Sequence, residues 1–130
     1  MAGMAELGLR AHLGSVFIDR GDAAAARVQR EAVIREVEER ESLGPRLRVA
    51  LAPHAIYTVG NESLEWLAGL ARKHDLLLHI HLSETEGEVE ACVAKHGIRP
   101  AFLLDRLAGL LDARGRVHAP DRARGLVGGE

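Results

Sequence analysis

The stretch LRVALAPHAIYTVGNESLEWLAGLARKHDLLLHIHL, residues 47–82, decides the fold of this 130-residue chain. Its first part, Leu47–Ala52, is a short apolar run, which is typical of a β-strand covered on both faces. Leucine and alanine then recur at helical spacing between Glu62 and Lys73, with Asn61 as the expected N-cap. A second apolar run, Leu76–Leu82, predicts another strand. This order indicates two parallel strands joined by a right-handed crossover.

The same alternation of strands and helices extends on both sides of this unit. Upstream, we expect a strand at Leu7–Ile18 and an amphipathic helix at Ala23–Glu41, ended by a Gly-Pro pair. Downstream, we expect helices at Glu88–Lys95 and Pro100–Leu111, separated by Gly97. The predicted fold class is therefore α/β with parallel strands.

The composition excludes several functional classes. A net charge of −2 and an aromatic content of 3% argue against a nucleic-acid surface, which needs basic patches or stacking rings. No apolar run approaches the ~20 residues of a membrane span, and the N-terminus does not read as a signal peptide. A single cysteine, Cys92, allows no disulfide within the chain and suits a reducing compartment. We therefore expect a cytoplasmic protein with no nucleic-acid or membrane partner.

The stretch His79-Ile80-His81-Leu82-Ser83-Glu84 carries the most informative polar residues. Side chains two residues apart on a strand share a face, so His79 and His81 point the same way. Neutral imidazole is the commonest zinc ligand, and Glu84 follows just past the strand end. The spacing alone is equally compatible with two core histidines bonded to backbone carbonyls.

A further histidine, His54, follows the strand Leu47–Ala52 directly after Pro53. Taken alone, it reads as a surface or capping histidine of a loop. Its place at the end of a strand also allows it to contribute to a site at that edge of the sheet.

Several motifs in order resemble the middle of the amidohydrolase superfamily, in the branch of S-adenosylhomocysteine and methylthioadenosine deaminases and triazine hydrolases. The matching residues are Ala52-Pro53-His54, Tyr57-Thr58, His79-Ile80-His81, Glu84-Thr85, Glu88-Val89 and Gly97-Ile98-Arg99-Pro100. The resemblance implies part of a TIM-type (β/α)8 barrel, about strands 3 to 5 with their helices. We expect residues 1–111 to form this partial barrel domain and residues 112–130 to be an irregular tail rich in arginine and glycine.

The resemblance also implies a role for individual side chains. His81 matches the family's metal ligand on the fifth strand, Glu84 matches the catalytic carboxylate that contacts the substrate and shuttles a proton, and His54 matches a substrate-binding histidine. His79 matches no ligand. The implied cofactor is a divalent metal, zinc in the first place with iron as the alternative, and the implied substrate is a small amino-substituted N-heterocycle.

The chain departs from the family pattern by its shortness. A full barrel takes about 250 residues, and complete members carry further ligands on the first, sixth and eighth strands. His118 is an open candidate for the sixth-strand ligand, although Pro120 would interrupt a strand there. We therefore expect weak or absent metal binding, little activity from the isolated chain, and homo-oligomerisation or association through open barrel edges.

Two other readings remain at this point, and a third is excluded. The chain could be a catalytically inactive half-barrel that serves as an interaction module. His79 and His81 could be the first-strand pair of the family, although such pairs come early and are not followed by Ser-Glu-Thr. Deaminases of the cytidine type need a Pro-Cys-x-x-Cys motif, which a chain with one cysteine cannot supply.

Overall fold

The computed structural model describes residues 6–109, apart from the side chain of Glu41. The elements follow one another as β1 (Ala11–Phe17), α1 (Ala23–Glu38), a 3₁₀ turn (Glu39–Leu43), β2 (Leu47–Pro53), α2 (Asn61–His74), β3 (Leu77–Leu78), α3 (Glu86–His96) and α4 (Pro100–Ala108). The predicted tail at 112–130 and the candidate His118 lie outside the described residues. Within residues 6–109, no helix combines the length and the apolar character that crossing a lipid bilayer requires.

The three strands form one parallel sheet in the order β1-β2-β3, which confirms the predicted α/β class. Phe17 pairs with Pro53 and Ala50 pairs with Leu77, so all three strands end on the same side of the molecule. The carboxyl ends of parallel strands are where such sheets place ligands, so the register brings the segments after β2 and β3 together.

The two faces of the sheet have different surroundings. Phe17, Val49 and Leu51 project toward α1 and α2 and are at most 7% exposed. The side chains that alternate with these along the strands, including Val16 and Leu77, project from the other face, which we call the open face. There Val16 is 64% exposed and Leu77 is 45% exposed. The main hydrophobic cluster of the described part therefore lies on the helical side of the sheet, although Ala50 of the central strand is also buried, at 2% exposed, on the open face.

The third strand is much shorter than predicted. Regular pairing stops at Leu78 rather than continuing to Leu82, which makes that prediction wrong. His79 donates its backbone N–H to the Leu51 carbonyl at 2.8 Å, and one isolated bridge joins Ala55 to His81. The segment thus follows β2 without a full ladder, because β2 ends at Pro53, two positions past the pair of Leu51 with Leu78, and proline has no N–H to donate.

Two other boundaries differ because of glycine. The first strand begins at Ala11 rather than Leu7, since Gly8 before it has a φ of +69°. The N-cap of α2 is Gly60 and not Asn61, which is the first helical residue. A Cβ at position 60 would lie 3.2 Å from the Gly21 Cα, so the close approach of two loops selects glycine there.

Helices α1, α3 and α4 also have shifted ends. Helix α4 ends at Ala108 rather than Leu111, because its C-cap Gly109 takes a left-handed φ of +56°. The regular part of α1 stops at Glu38, three residues early, and tightens into the 3₁₀ turn before Gly44. Helix α3 starts at Glu86, two residues early, because the Thr85 side chain accepts the Glu88 N–H as an N-cap.

The loops after β1 and β2 are joined by the carboxylate of Asp19. This side chain is 3% exposed and accepts the backbone N–H groups of Gly21 at 2.9 Å and Gly60 at 2.7 Å. Burial raises the pKa of Asp19, but hydrogen bonds from Ser63, Gly21 and Gly60 and the charge of Arg30 outweigh it, so the pKa lies below its ordinary value of 3.8. Asp19 therefore fixes the start of α2 against the start of α1.

Replacing Asp19 should weaken the fold. We expect Asp19→Ala to lower the free energy of unfolding by about 2 to 3 kcal/mol, because two backbone N–H groups lose a charged acceptor. Urea unfolding followed by the fluorescence of Trp66, the single tryptophan, measures this change. The matched control is Asp22→Ala, which removes the exposed N-cap bond to Ala25 and should cost about 1 kcal/mol.

The same variant should reveal a dependence on pH. A carboxyl whose folded pKa is depressed stabilises the fold fully above its unfolded pKa, and this contribution is lost as the pH falls through the folded value. The stability difference between wild type and Asp19→Ala should therefore be full at neutral pH and shrink below about pH 4. A stability difference that stays constant down to acid pH would contradict the conclusion that an ionised Asp19 carboxylate holds the two loops together.

Candidate functional site

The ends of β2 and β3 bring two of the predicted site residues together. His81 donates its backbone N–H to the His54 carbonyl at 3.0 Å, just after the bridge between Ala55 and His81. The ring centroids of His54 and His81 are 5.2 Å apart with an interplanar angle of 69°. Two residues that are 27 positions apart in sequence thus face each other because their strands pair in parallel.

The loop after β2 holds His54 in one orientation. The backbone N–H groups of Thr58 and Val59 both donate to the Ala55 carbonyl at 3.1 Å, which closes a single turn. The Thr58 hydroxyl donates to the same carbonyl at 3.2 Å and lies 2.9 Å from His54 Nδ1. This hydroxyl has only one proton, which it gives to the carbonyl, so it can only accept from His54. The arrangement therefore favours the neutral tautomer of His54 with its proton on Nδ1, which leaves the lone pair of Nε2 available to a ligand.

Glu84 lies at the same edge and contacts Tyr57. The Tyr57 hydroxyl donates to Glu84 Oε2 at 3.4 Å, a long hydrogen bond, and the Tyr57 ring stands edge-on to His54 with centroids 6.0 Å apart. Partial loss of hydration and the negative charge of Glu84 raise the pKa of Tyr57 above its ordinary value of 10.0. Tyr57 therefore links the His54 loop to the Glu84 loop.

The sequence motif gives Tyr57 no role of its own, although the structure places it between His54 and Glu84. The available signal was its position three residues after His54, in a loop that follows a strand end. Its contact with Glu84 spans 27 positions and needs the parallel register to be seen.

His79 lies on the open face with His81, as the two-residue spacing predicted. Their ring centroids are 6.2 Å apart, and both side chains are exposed. His79 is therefore not buried among apolar side chains in the described part of the chain, which argues against the reading of two enclosed core histidines.

The described residues supply part of a metal site at most. Within residues 6–109, no group of three or more His, Cys, Asp or Glu side chains is arranged to hold a metal ion. A zinc site normally takes three or four protein ligands. His81 has the right chemistry and an exposed ring for one of them, so the remaining ligands would have to come from elsewhere.

The chain as a whole is similar to proteins of one known family. The model of the amidohydrolase family matches residues 1–127. A 5'-deoxyadenosine deaminase from Methanoregula boonei is 46% identical over 114 residues, which cover 84% of this chain and 25% of that protein. A 5-methylthioadenosine/S-adenosylhomocysteine deaminase from Thermococcus sibiricus is 36% identical over 106 residues, covering 81% of this chain and 25% of that protein.

A solved structure shows the same arrangement of elements. The adenosine deaminase from Xanthomonas campestris, determined with bound zinc, superposes with a TM-score of 0.71 at 37% identity. The match covers 85% of this chain and 25% of that chain. The present chain thus spans about a quarter of the length of the curated relatives it matches. The resemblance in the sequence motifs is confirmed, and the chain belongs to the amidohydrolase family.

Proposed function

We propose that this chain is part of a metal-dependent hydrolase that removes an amino group from an N-heterocycle, with an adenosine-type base as the first candidate. One observation carries the proposal. His54 and His81 face each other at 5.2 Å at the carboxyl ends of β2 and β3, and Glu84 adjoins them through Tyr57. The names of the matched deaminases support an adenosine-type substrate.

We infer that the three strands correspond to about strands 3 to 5 of a (β/α)8 barrel. The parallel sheet with helices on one face supports this, since barrel strands are covered outside by helices and inside by the opposite strands. The open face would then become the barrel interior, where its exposed Val16 and Leu77 side chains would be covered by further polypeptide or by a second copy of the chain. A cytoplasmic location stays a prediction.

His81 would provide one imidazole to a divalent ion, with zinc as the first candidate and iron as the alternative. The bound ion would lower the pKa of a coordinated water toward neutrality and so supply the nucleophile. The other ligands are not among the described residues, which limits what this chain can do alone.

The proposed work of this chain's own residues is to bind the heterocycle and to move a proton. Replacing an amino group by water requires that a ring nitrogen gain a proton while the carbon is attacked, so that negative charge does not build on the ring. Glu84, as a carboxylate, would take a proton from the attacking water and deliver it to that ring nitrogen. The second proton of the water would then move from the new hydroxyl to the amino group, which leaves as ammonia while the ring carbon keeps the oxygen as a carbonyl.

His54 and Tyr57 would orient the substrate and the carboxylate. With its Nδ1 bonded to Thr58, His54 presents Nε2 as an acceptor for a donor group of the substrate. The Tyr57 hydroxyl donates to Glu84 Oε2 and would thereby hold the carboxylate beside the His54 loop. These roles depend on groups that lie at one edge of the sheet.

A chimeric enzyme tests this proposal. Residues 6–109 would replace the matching segment of the Methanoregula boonei 5'-deoxyadenosine deaminase, and ammonia release from 5'-deoxyadenosine would be assayed. In an active chimera, Glu84→Gln should lower kcat by about 10²- to 10⁴-fold, the range that general acid–base groups contribute. His81→Ala should lower both the metal content and the rate.

Glu86→Gln is the matched control, because Glu86 is exposed two positions away and carries the same charge. It should leave the rate unchanged. A chimera that folds and holds its metal but releases no ammonia would contradict the proposed function, as would full activity of Glu84→Gln.

The contact between Glu84 and Tyr57 can be measured without any activity. Tyr57 is the single tyrosine, so the absorbance of its phenolate reports its pKa directly. Glu84→Gln should shift that pKa down toward 10.0, because a neutral amide no longer opposes the phenolate charge. The control Glu86→Gln should leave the titration in place, and an equal shift in both variants would argue against a specific contact.

The isolated chain should hold metal poorly. We expect less than one tightly bound zinc or iron per chain by elemental analysis, with little difference between the wild type and His81→Ala, because one imidazole does not retain these ions. One equivalent of metal that disappears in His81→Ala would show instead that a full site assembles, either within the chain or between copies.

A further inference from the structure

Glu88 is a buried carboxylate to which the family motif gave no role. It lies in the first turn of α3 and is 6% exposed. Its Oε1 accepts the backbone N–H of Ser83 at 3.1 Å, and its Oε2 accepts the backbone N–H of Glu84 at 2.7 Å. One carboxylate thus receives two consecutive amides of the loop that carries Glu84.

This arrangement differs from an ordinary capping box. There the third helical residue reaches back to the backbone N–H of the N-cap itself. Here Thr85 is the N-cap and accepts the Glu88 N–H at 3.1 Å, but the Glu88 carboxylate passes the cap and binds the two residues before it. The bonds therefore hold the loop and not only the first turn of the helix.

The loop needs such support because of its backbone conformation. Ser83 has a φ of +55°, a left-handed conformation that residues with a Cβ rarely adopt. Strand β3 has already ended at Leu78, so no regular ladder holds this segment. The Ser83-Glu84 backbone is held by the two hydrogen bonds that its amides donate to the Glu88 carboxylate.

We propose that Glu88 is the positioning residue for Glu84: it fixes the backbone of the Ser83-Glu84 turn so that the Glu84 side chain faces Tyr57. The significance for catalysis rests on the proposed function, in which Glu84 transfers a proton. The positioning itself is a property of the chain and can be tested on the 130-residue protein without substrate or metal.

Amide hydrogen exchange tests the two bonds directly. In Glu88→Gln, the amide hydrogens of Ser83 and Glu84 should exchange roughly tenfold faster or more, because an amide side chain keeps one neutral acceptor in place of two charged ones. Glu90→Gln is the matched control, since Glu90 lies exposed on the same helix. Unchanged exchange at Ser83 and Glu84 in Glu88→Gln would overturn the proposal.

Cys92 separates loosening of the loop from unfolding of the helix. It is the single cysteine, is 4% exposed, and its thiol donates to the Ile98 carbonyl at 3.2 Å. Burial and, after it, the charge of Glu88 raise the pKa of this thiol, so its reaction with a thiol reagent is compared as the rate per thiolate. That rate should stay slow in Glu88→Gln. Fast reaction there, but not in Glu90→Gln, would show that Glu88 holds the whole helix and would overturn the proposal.

A double-mutant cycle on the Tyr57 titration separates positioning from charge. Glu88 is itself negative and contributes to the raised pKa of Tyr57, so its removal lowers that pKa even without movement of Glu84. If Glu88 positions Glu84, the change in Tyr57 pKa caused by Glu84→Gln should be smaller in the Glu88→Gln background than in wild type. Strictly additive shifts would overturn the proposal, and none of these readouts depends on deaminase activity.

Discussion

The structure depends on the parallel pairing of β2 with both of its neighbours. The register that pairs Val16 with Ala52 and Ala50 with Leu77 sets which side chains meet the helices and which project from the open face. A slip of one residue would reverse every side chain of a strand, which would expose Leu51 and bury Arg48. The same register places His54 beside His81, so the geometry of the site follows directly from the backbone hydrogen bonds of the central strand.

Two buried carboxylates perform the same task at the carboxyl edge of this sheet. Asp19 accepts two backbone amides and joins the loops after β1 and β2, whereas Glu88 accepts two amides within the loop after β3. A loop at the end of a parallel strand leaves backbone N–H groups without ladder partners, and each of these has to find an acceptor when it is shielded from water. Charged acceptors make short, strong bonds, so the loops that carry the site residues are held in place while their side chains remain accessible.

Much of this arrangement follows from sequence patterns, and the rest depends on contacts between distant residues. The apolar run at β2 and the helical spacing in α2 predicted both elements to within one residue, because local periodicity reports burial on one side. The length of β3 was overestimated, since an apolar run does not reveal where the neighbouring strand ends. The capping role of Gly60 depends on its approach to Gly21, which no local pattern encodes. His54, His81 and Glu84 were named from motifs, but the distances among them, and the partnership of Tyr57 with Glu84, arise only when the strands pair.

The exposure of the open face to water weakens the electrostatic interactions among the polar side chains at the carboxyl ends of the strands. Glu84 and His81 are exposed in the described part of the chain, and Tyr57 is 56% exposed, so water screens the attraction between charges at this edge. A carboxylate that transfers protons works best when its surroundings, and not bulk water, set its proton affinity. Covering the open face would exclude water from the neighbourhood of Val16, His79 and His81 and would strengthen each hydrogen bond made there. Under the proposed function, this segment would need not only further metal ligands but also the low-dielectric enclosure that the opposite side of a barrel would provide, whereas the backbone before α3 and the ring of His54 already have hydrogen-bond partners within the segment.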